Sequence, residues 1–214
     1  MPALSGVEMN IEQGDFVFLV GDSGAGKTSL IRLLFREVMP TSGKVYYHGR
    51  DTSRFRPKEL LRYRRNIGVV FQDFRLLSRK TVFENVAFTL EVMGRSREEI
   101  NQKVPRVLEQ VGLSQYSRVY PSRLSGGEQQ RVGIARAIVK DPLLILADEP
   151  TGNVDPNNAR QIMEMFKEIN QSGTTLVVAT HAWELVEEMS QRVVSLKDGR
   201  VVNDSKMRGA LHVY

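Results

Sequence analysis

The stretch FVFLVGDSGAGKTSL, Phe16 to Leu30, decides the fold. Its first five residues are apolar without interruption, the pattern of a strand buried on both faces. From Thr28 to Arg36, leucine and isoleucine recur at helical spacing. Between the two lie Gly21, Gly24 and Gly26, in the frame G-x-x-x-x-G-K-T. Glycine lets the backbone bend until several N–H groups point at one anion, and the following helix adds the positive end of its dipole. With a strand before it and a helix after it, this frame reads as a nucleotide phosphate cradle. It predicts that Gly21, Asp22, Ser23, Gly24, Ala25, Gly26 and Ser29 surround the phosphates. It also predicts that Lys27 reaches the β- and γ-phosphates and that Thr28 ligates Mg2+.

Outward from this stretch, NIGVVFQ, LLILADEP and TLVVATH are further buried-strand candidates, ending in Gln72, in Asp148 with Glu149, and in His181. RVVSLKDGRVV reads as a hairpin turned at Asp198-Gly199. Strands alternating with helices predict an α/β fold with a mainly parallel sheet, whose ligands bind beyond the carboxyl ends of its strands. Asp148 is placed to hold Mg2+ through a water, and Glu149 to orient or deprotonate an attacking water. Gln72 is a candidate contact to the metal or the water, and His181 a hydrogen-bond partner for the γ-phosphate. From Asp73 to Asp141 the strand signal gives way to three helical patterns, VFENVAFTLEVMG, SREEINQKVPRVLEQVG and GGEQQRVGIARAIVK. Pro105 is expected to kink or shorten the second. The expected organisation is one domain, with residues 1–72 and 141–214 as the core and 73–140 as an inserted helical lobe.

The bulk properties narrow the classes. The 214 residues suffice for one α/β core, and 41% hydrophobic with 26% charged content is ordinary for a globular chain. No apolar run is long enough to span a membrane, and the absence of cysteine excludes disulfides and thiolate metal sites. The formal charge of +5 is moderate, but Arg50 to Asn66 holds seven Arg or Lys against two acids. This segment, with Arg62, Arg64 and Arg65 at its end, is either a solvated face or one turned toward acidic phospholipid or a membrane partner.

A second Ser-Gly-Gly turn, in RLSGGEQQRVGIARAIVK (Arg123 to Lys140), stands at the mouth of another helix. The cradle, FQ, LSGGE, LADEPTGNVD and TH, in that order, resemble the ATP-binding subunits of ABC transporters over almost the whole chain. The resemblance implies a P-loop NTPase fold with a small antiparallel β part, and an Mg2+-dependent ATPase with ATP and Mg2+ as its cofactors. It implies a head-to-tail homodimer in which Ser125, Gly126, Gly127 and Glu128 cradle the γ-phosphate held by the other subunit. It gives Thr28, Gln72 and Asp148 to the metal, and Glu149, His181 and Gln72 to catalysis. Asn153 to Asp155 become a turn that communicates across the dimer, with Val154 where leucine is usual and Ala182 where aspartate often follows the histidine.

Members of the family carry an earlier strand and an aromatic residue that stacks on adenine. No aromatic precedes Phe16 here, so a later start is expected, with ATP and GTP competing nearly equally. Within the family, FQDFRLLSRKTVFENVAFTLEVMG resembles the cell-division branch through Asp73, Leu76-Leu77 and TVFENVA. That branch implies a membrane permease partner, received around Phe74 to Asn85, and a peripheral position on the cytoplasmic face of the bacterial inner membrane. Hydrolysis would then signal to cell-wall hydrolases rather than move a solute. The alternative is a lipoprotein-release or macrolide/lipid exporter, with which DEPTGNVD is shared. No nucleic acid partner is expected.

Overall fold

The structure, a computed structural model, describes residues 2–205. An N-terminal segment without regular structure leads into β1 (Phe16–Val20) and α1 (Lys27–Leu34). The short strands β2 (Tyr46–Tyr47) and β3 (Arg50–Asp51) pair antiparallel, and α2 (Pro57–Arg65) and β4 (Ile67–Phe71) follow. Then come α3 (Val82–Val92), α4 (Arg97–Gln110) and α5 (Gly126–Ile138). The chain returns through β5 (Leu144–Asp148), α6 (Pro156–Gln171), β6 (Thr175–Thr180) and α7 (Trp183–Met189), and closes with β7 (Arg192–Lys197) and β8 (Arg200–Asp204).

The main sheet has the order β4-β5-β6-β1-β7-β8 and is parallel except for the β7–β8 hairpin. Asp198 and Gly199, at φ 49° and 75°, are both left-handed, as a two-residue turn matched to strand twist requires. β1 lies inside the sheet and all five of its residues are buried, which explains its unbroken apolar run. Phe16, Phe18 and Val20 face one layer, while Val17 and Leu19 face the other. Each such side chain, fully buried, contributes about 1.5–3 kcal/mol.

The first layer also contains Val86, Leu90, Val104, Leu108 and Val132, so the three central helices share a core with the sheet. Gly68 of β4 makes room for α5, since a Cβ there would stand 2.9 Å from the Ala137 carbonyl oxygen. The second layer is completed by Leu4, Val7, Met9 and Ile11 of the N-terminal segment. No helix among the described residues is long and apolar enough to cross a membrane.

Two local readings gain detail. α4 runs through Pro105 from Arg97 to Gln110 rather than stopping there. Proline removes the donor for the carbonyl four residues back. Asn101 and Pro105 both lie on the exposed face, where water can serve that carbonyl. Asn85, at the end of the segment expected to meet a partner, is fully buried. It accepts from the Leu77 N–H and donates to the Leu77, Lys80 and Thr81 carbonyls, stapling the preceding loop to α3.

Strand register builds the site. Val20 stands opposite Thr180, Phe71 opposite Asp148, and Asp148 opposite Ala179. The parallel strands therefore end level, and Gly21, Gln72, Glu149 and His181, each next after a strand, emerge at one edge.

Candidate functional site

That edge opens into a cleft of about 650 Å³, lined by Gly21 through Ser29 together with Gln72, Glu149 and His181. The turn from β1 into α1 is held open by glycine. Gly21 has φ 147°, and a Cβ there would stand 2.2 Å from the Leu196 carbonyl oxygen. Gly26 precedes α1 at φ 107°, and no side chain caps that helix. An uncapped helix start leaves backbone N–H groups to be satisfied by solvent or an anion.

Lys27 is buried, and its ammonium donates to the Gly21 and Asp22 carbonyls at 2.6 and 3.3 Å. It also lies 3.5 Å from Glu149 Oε1. The other carboxylate oxygen, Oε2, is 2.9 Å from His181 Nδ1, which donates because a carboxylate only accepts. Glu149 itself sits at φ 48°, a left-handed conformation that costs a non-glycine residue about 1–3 kcal/mol. Its backbone N–H donates to the Ala179 carbonyl at 2.9 Å, and its carbonyl accepts from Gly152 at 3.1 Å. The strained residue is thus fixed on both sides and presents its carboxylate to the cleft.

Asp148, one residue earlier, accepts from the Thr28 hydroxyl at 3.1 Å. Burial, above all, pushes its carboxyl upward from the usual range, and the Glu149 charge adds to this. The Thr28 hydrogen bond and the charges of Lys27 and Arg75 pull the other way. An additional cation would stabilise this carboxylate in its ionised form. Thr28 Oγ1 and Asp148 Oδ1 form a hard oxygen pair that fits Mg2+, and Gln72 lines the same cleft as Thr28. No group of three or more His, Cys, Asp or Glu among the described residues could hold a metal ion. Mg2+ suits such a set, since it takes one or two protein oxygens and completes its shell with water and substrate phosphates.

The second glycine turn is built differently. Ser125 accepts from the Glu128 N–H at 3.3 Å, and Glu128 Oε2 accepts from the Ser125 N–H and hydroxyl at 2.7 and 2.8 Å, a reciprocal cap on α5. A hydrogen bond from Tyr116, foremost, and those from Ser125 hold the Glu128 carboxyl below its usual range. Glu128 is thereby engaged with its own turn. A Cβ on Gly126 would stand 2.8 Å from the Asn153 carbonyl oxygen, and one on Gly127 would stand 2.5 Å from the Asn158 side chain. Both glycines thus let this turn pack on the segment that enters α6.

The same segment reaches the cleft. Asn153 donates from Nδ2 to the Gln72 carbonyl at 2.9 Å. Asp155 caps α6 by accepting from the Asn157 and Asn158 N–H groups, both at 3.1 Å. Arg131 of α5 donates to Asn158 Oδ1 at 2.9 Å. Of the predicted site residues, Gly21 to Ser29, Gln72, Asp148, Glu149 and His181 therefore converge. Ser125 to Glu128 stand apart, outside the lining of the cleft.

Sequence reasoning missed several neighbours. Ala3 and Trp183 also line the cleft, and Arg75 lies over the Phe71 ring at 3.8 Å while acting on Asp148. Trp183, the single tryptophan, follows His181 by two residues and could have been flagged by proximity. Tyr116 had no spacing signal at all.

Known proteins resemble this chain over most of its length. A family profile described as "ABC transporter" matches residues 4–152. The cell division ATP-binding protein FtsE of Mycobacterium tuberculosis is 51% identical over 205 residues, covering 96% of this chain and 89% of that protein. The FtsE of Bacillus subtilis is 49% identical over 202 residues, covering 94% and 89%. Among solved structures, the dimeric post-hydrolysis state of the ATP-binding cassette MJ0796, bound to ADP and Pi, superposes with a TM-score of 0.85. It is 37% identical and covers 94% of this chain and 89% of that one.

Proposed function

The chain belongs to the ABC transporter family as an ATP-hydrolysing member, and from that premise we propose that it is the ATP-binding subunit of a cell-division complex of the FtsE–FtsX type. Its work is to pass ATP-driven shape change to a membrane permease and, through it, to peptidoglycan hydrolysis. This reading places the chain peripherally on the cytoplasmic face of the inner membrane. The division role is supported by the name and near-complete coverage of the FtsE relatives. The head-to-tail homodimer is carried by one observation: of two glycine-rich helix starts, only the first lines the cleft.

In this mechanism Lys27 leaves the Gly21 and Asp22 carbonyls and Glu149 for the β- and γ-phosphates. Glu149, already fixed in its strained conformation, orients the attacking water and accepts its proton. His181 holds the γ-phosphate while its Nδ1 steadies Glu149. Thr28, Asp148 and Gln72 would hold Mg2+, which when bound neutralises charge on the phosphate oxygens. Ser125, Gly126 and Gly127 complete the partner's site, with Glu128 acting through the cap it forms on Ser125. The stretch after Gln72, exposed at Asp73, Arg75, Ser78 and Arg79 and running up to the Asn85 staple, receives the permease.

The test uses Glu149→Gln, which should bind ATP, lose hydrolysis by on the order of 10²–10⁴-fold and accumulate as the ATP dimer. Purified with ATP from solubilised membranes, it should bring down a four-span FtsX-like protein, identified by mass spectrometry. Recovery of a lipoprotein, lipid or drug permease instead would replace the division role with export. A variant that stays monomeric in saturating Mg-ATP would sink the shared site.

A further inference from the structure

One surface feature lies outside the nucleotide site. Lys58, Leu61, Arg62 and Arg65 follow one another along α2 at steps of three, one and three residues, which places them on one face of the helix. Lys58 and Arg62 are exposed, Arg65 is half-buried, and Leu61 stands 51% exposed among them. The opposite face carries the packing, with Tyr63 buried and Leu60 against the core. Arg64 also belongs to that inner side, donating to the Arg36 carbonyl at 2.8 Å and lying over the Phe35 ring.

The two acids of this basic segment are engaged with other groups. Glu59 binds Arg50 at 2.6 Å and accepts from the Arg56 N–H at 2.9 Å. Asp51 accepts from Ser53 and pairs with Arg54 at 3.7 Å. The side chains of Lys58, Arg62 and Arg65 form no ion pair or hydrogen bond among the described residues.

Folding accounts for part of this pattern. Cations in the last turn of a helix favour its negative end, which serves Arg62 and Arg65. Lys58 sits in the first turn, where the dipole disfavours a cation, and Leu61 leaves half its surface in water. A leucine ringed by unpaired cations on one helical face suits an interface that offers both negative charge and hydrocarbon.

We propose that the Lys58–Leu61–Arg62–Arg65 face of α2 binds anionic lipid directly, seating the subunit on the membrane independently of the permease. The occupant is a lipid surface, for which long flexible cations around one apolar contact suffice. The proposal rests on the peripheral placement given above, but it is tested without any partner.

The full chain is sedimented with vesicles of phosphatidylcholine alone, or with an equal share of phosphatidylglycerol, at low and raised salt. Each cation near an anionic surface is worth about fivefold in partition, so Lys58→Ala/Arg62→Ala/Arg65→Ala should lower binding on the order of a hundredfold. Leu61→Ser should lower it about three- to tenfold. Exchanging lysine and arginine at the three positions should preserve binding, and raised salt should weaken it. ATPase rate should stay unchanged in every variant, and the melting temperature should fall by no more than about 2–4 °C in the triple alanine variant, which loses two last-turn cations. Equal binding to neutral and anionic vesicles, or full binding by the triple alanine variant, would overturn the proposal. A triple variant that keeps vesicle binding but no longer copurifies with a membrane protein would assign this face to that protein instead.

Discussion

The two glycine turns of this chain look alike in sequence and differ in what they leave unsatisfied. At Gly21–Thr28 the helix start carries no side-chain cap, and Gly26 enters it left-handed. At Ser125–Glu128 the cap is complete within the chain, and a carboxylate already stands in the first turn. A helix start without a cap attracts an anion by itself. One that holds its own carboxylate offers less to a phosphate alone and gains from a nucleotide fixed elsewhere. In the proposed mechanism the first turn captures ATP, and the second recognises ATP that another subunit presents.

This contrast can be broken by experiment. Lys27→Ala should weaken ATP binding by roughly 10- to 100-fold, the worth of a hydrogen bond between charged groups, and hydrolysis should vanish with it; equilibrium binding of a fluorescent ATP analogue measures this. Gly127→Ala drives a methyl group to 2.5 Å from Asn158 and should displace the second turn. Its expected signature is near-normal ATP affinity with hydrolysis and ATP-dependent dimerisation both lost. Equal loss of affinity in the two variants would erase the difference between the turns. Ser125→Ala removes half of the reciprocal cap, so thermal unfolding should show about 1 kcal/mol of destabilisation and ATPase activity should fall, with ATP affinity unchanged.

A pH-dependent effect concerns the residues just past α5. There Lys140 donates to the Arg64 carbonyl at 3.1 Å, and burial lowers its ammonium to about 8. The unfolded chain keeps that proton to about pH 10.4, so it binds more protons than the folded state above pH 8. Stability should therefore rise between pH 8 and 10, by roughly 1–2 kcal/mol at most. Above pH 10 Tyr63, which burial raises to about 12, holds its proton in the folded state and reverses the trend. Lys140→Met should flatten the rise in chemical denaturation series. A rise that persists in that variant would assign it to another group.

Arg64 illustrates where sequence reading runs out. Composition put Arg62, Arg64 and Arg65 into one basic patch, yet Arg64 turns inward to the Arg36 carbonyl while Lys58 joins the exposed stripe. Charge density along a chain carries no information about which way each side chain faces. The helix phase does, once the buried residue Tyr63 is known. Pro105 shows the same limit, since a proline is tolerated inside a helix when the carbonyl it orphans faces water.

By itself the sequence determined the parallel α/β sheet and the phosphate cradle, as well as Gln72, Asp148, Glu149 and His181 at strand ends. Each of these is written in local terms: an apolar run, a glycine frame, a polar residue closing a strand. Tertiary structure alone decided that the strand ends lie level in one register, and that Glu149 is held left-handed between Lys27 and His181. It alone packed the Ser125 turn against Asn153 and Asn158, outside the cleft it resembles. These are contacts between residues far apart in the chain, fixed by strand pairing and by close packing at glycine, and no local pattern encodes them.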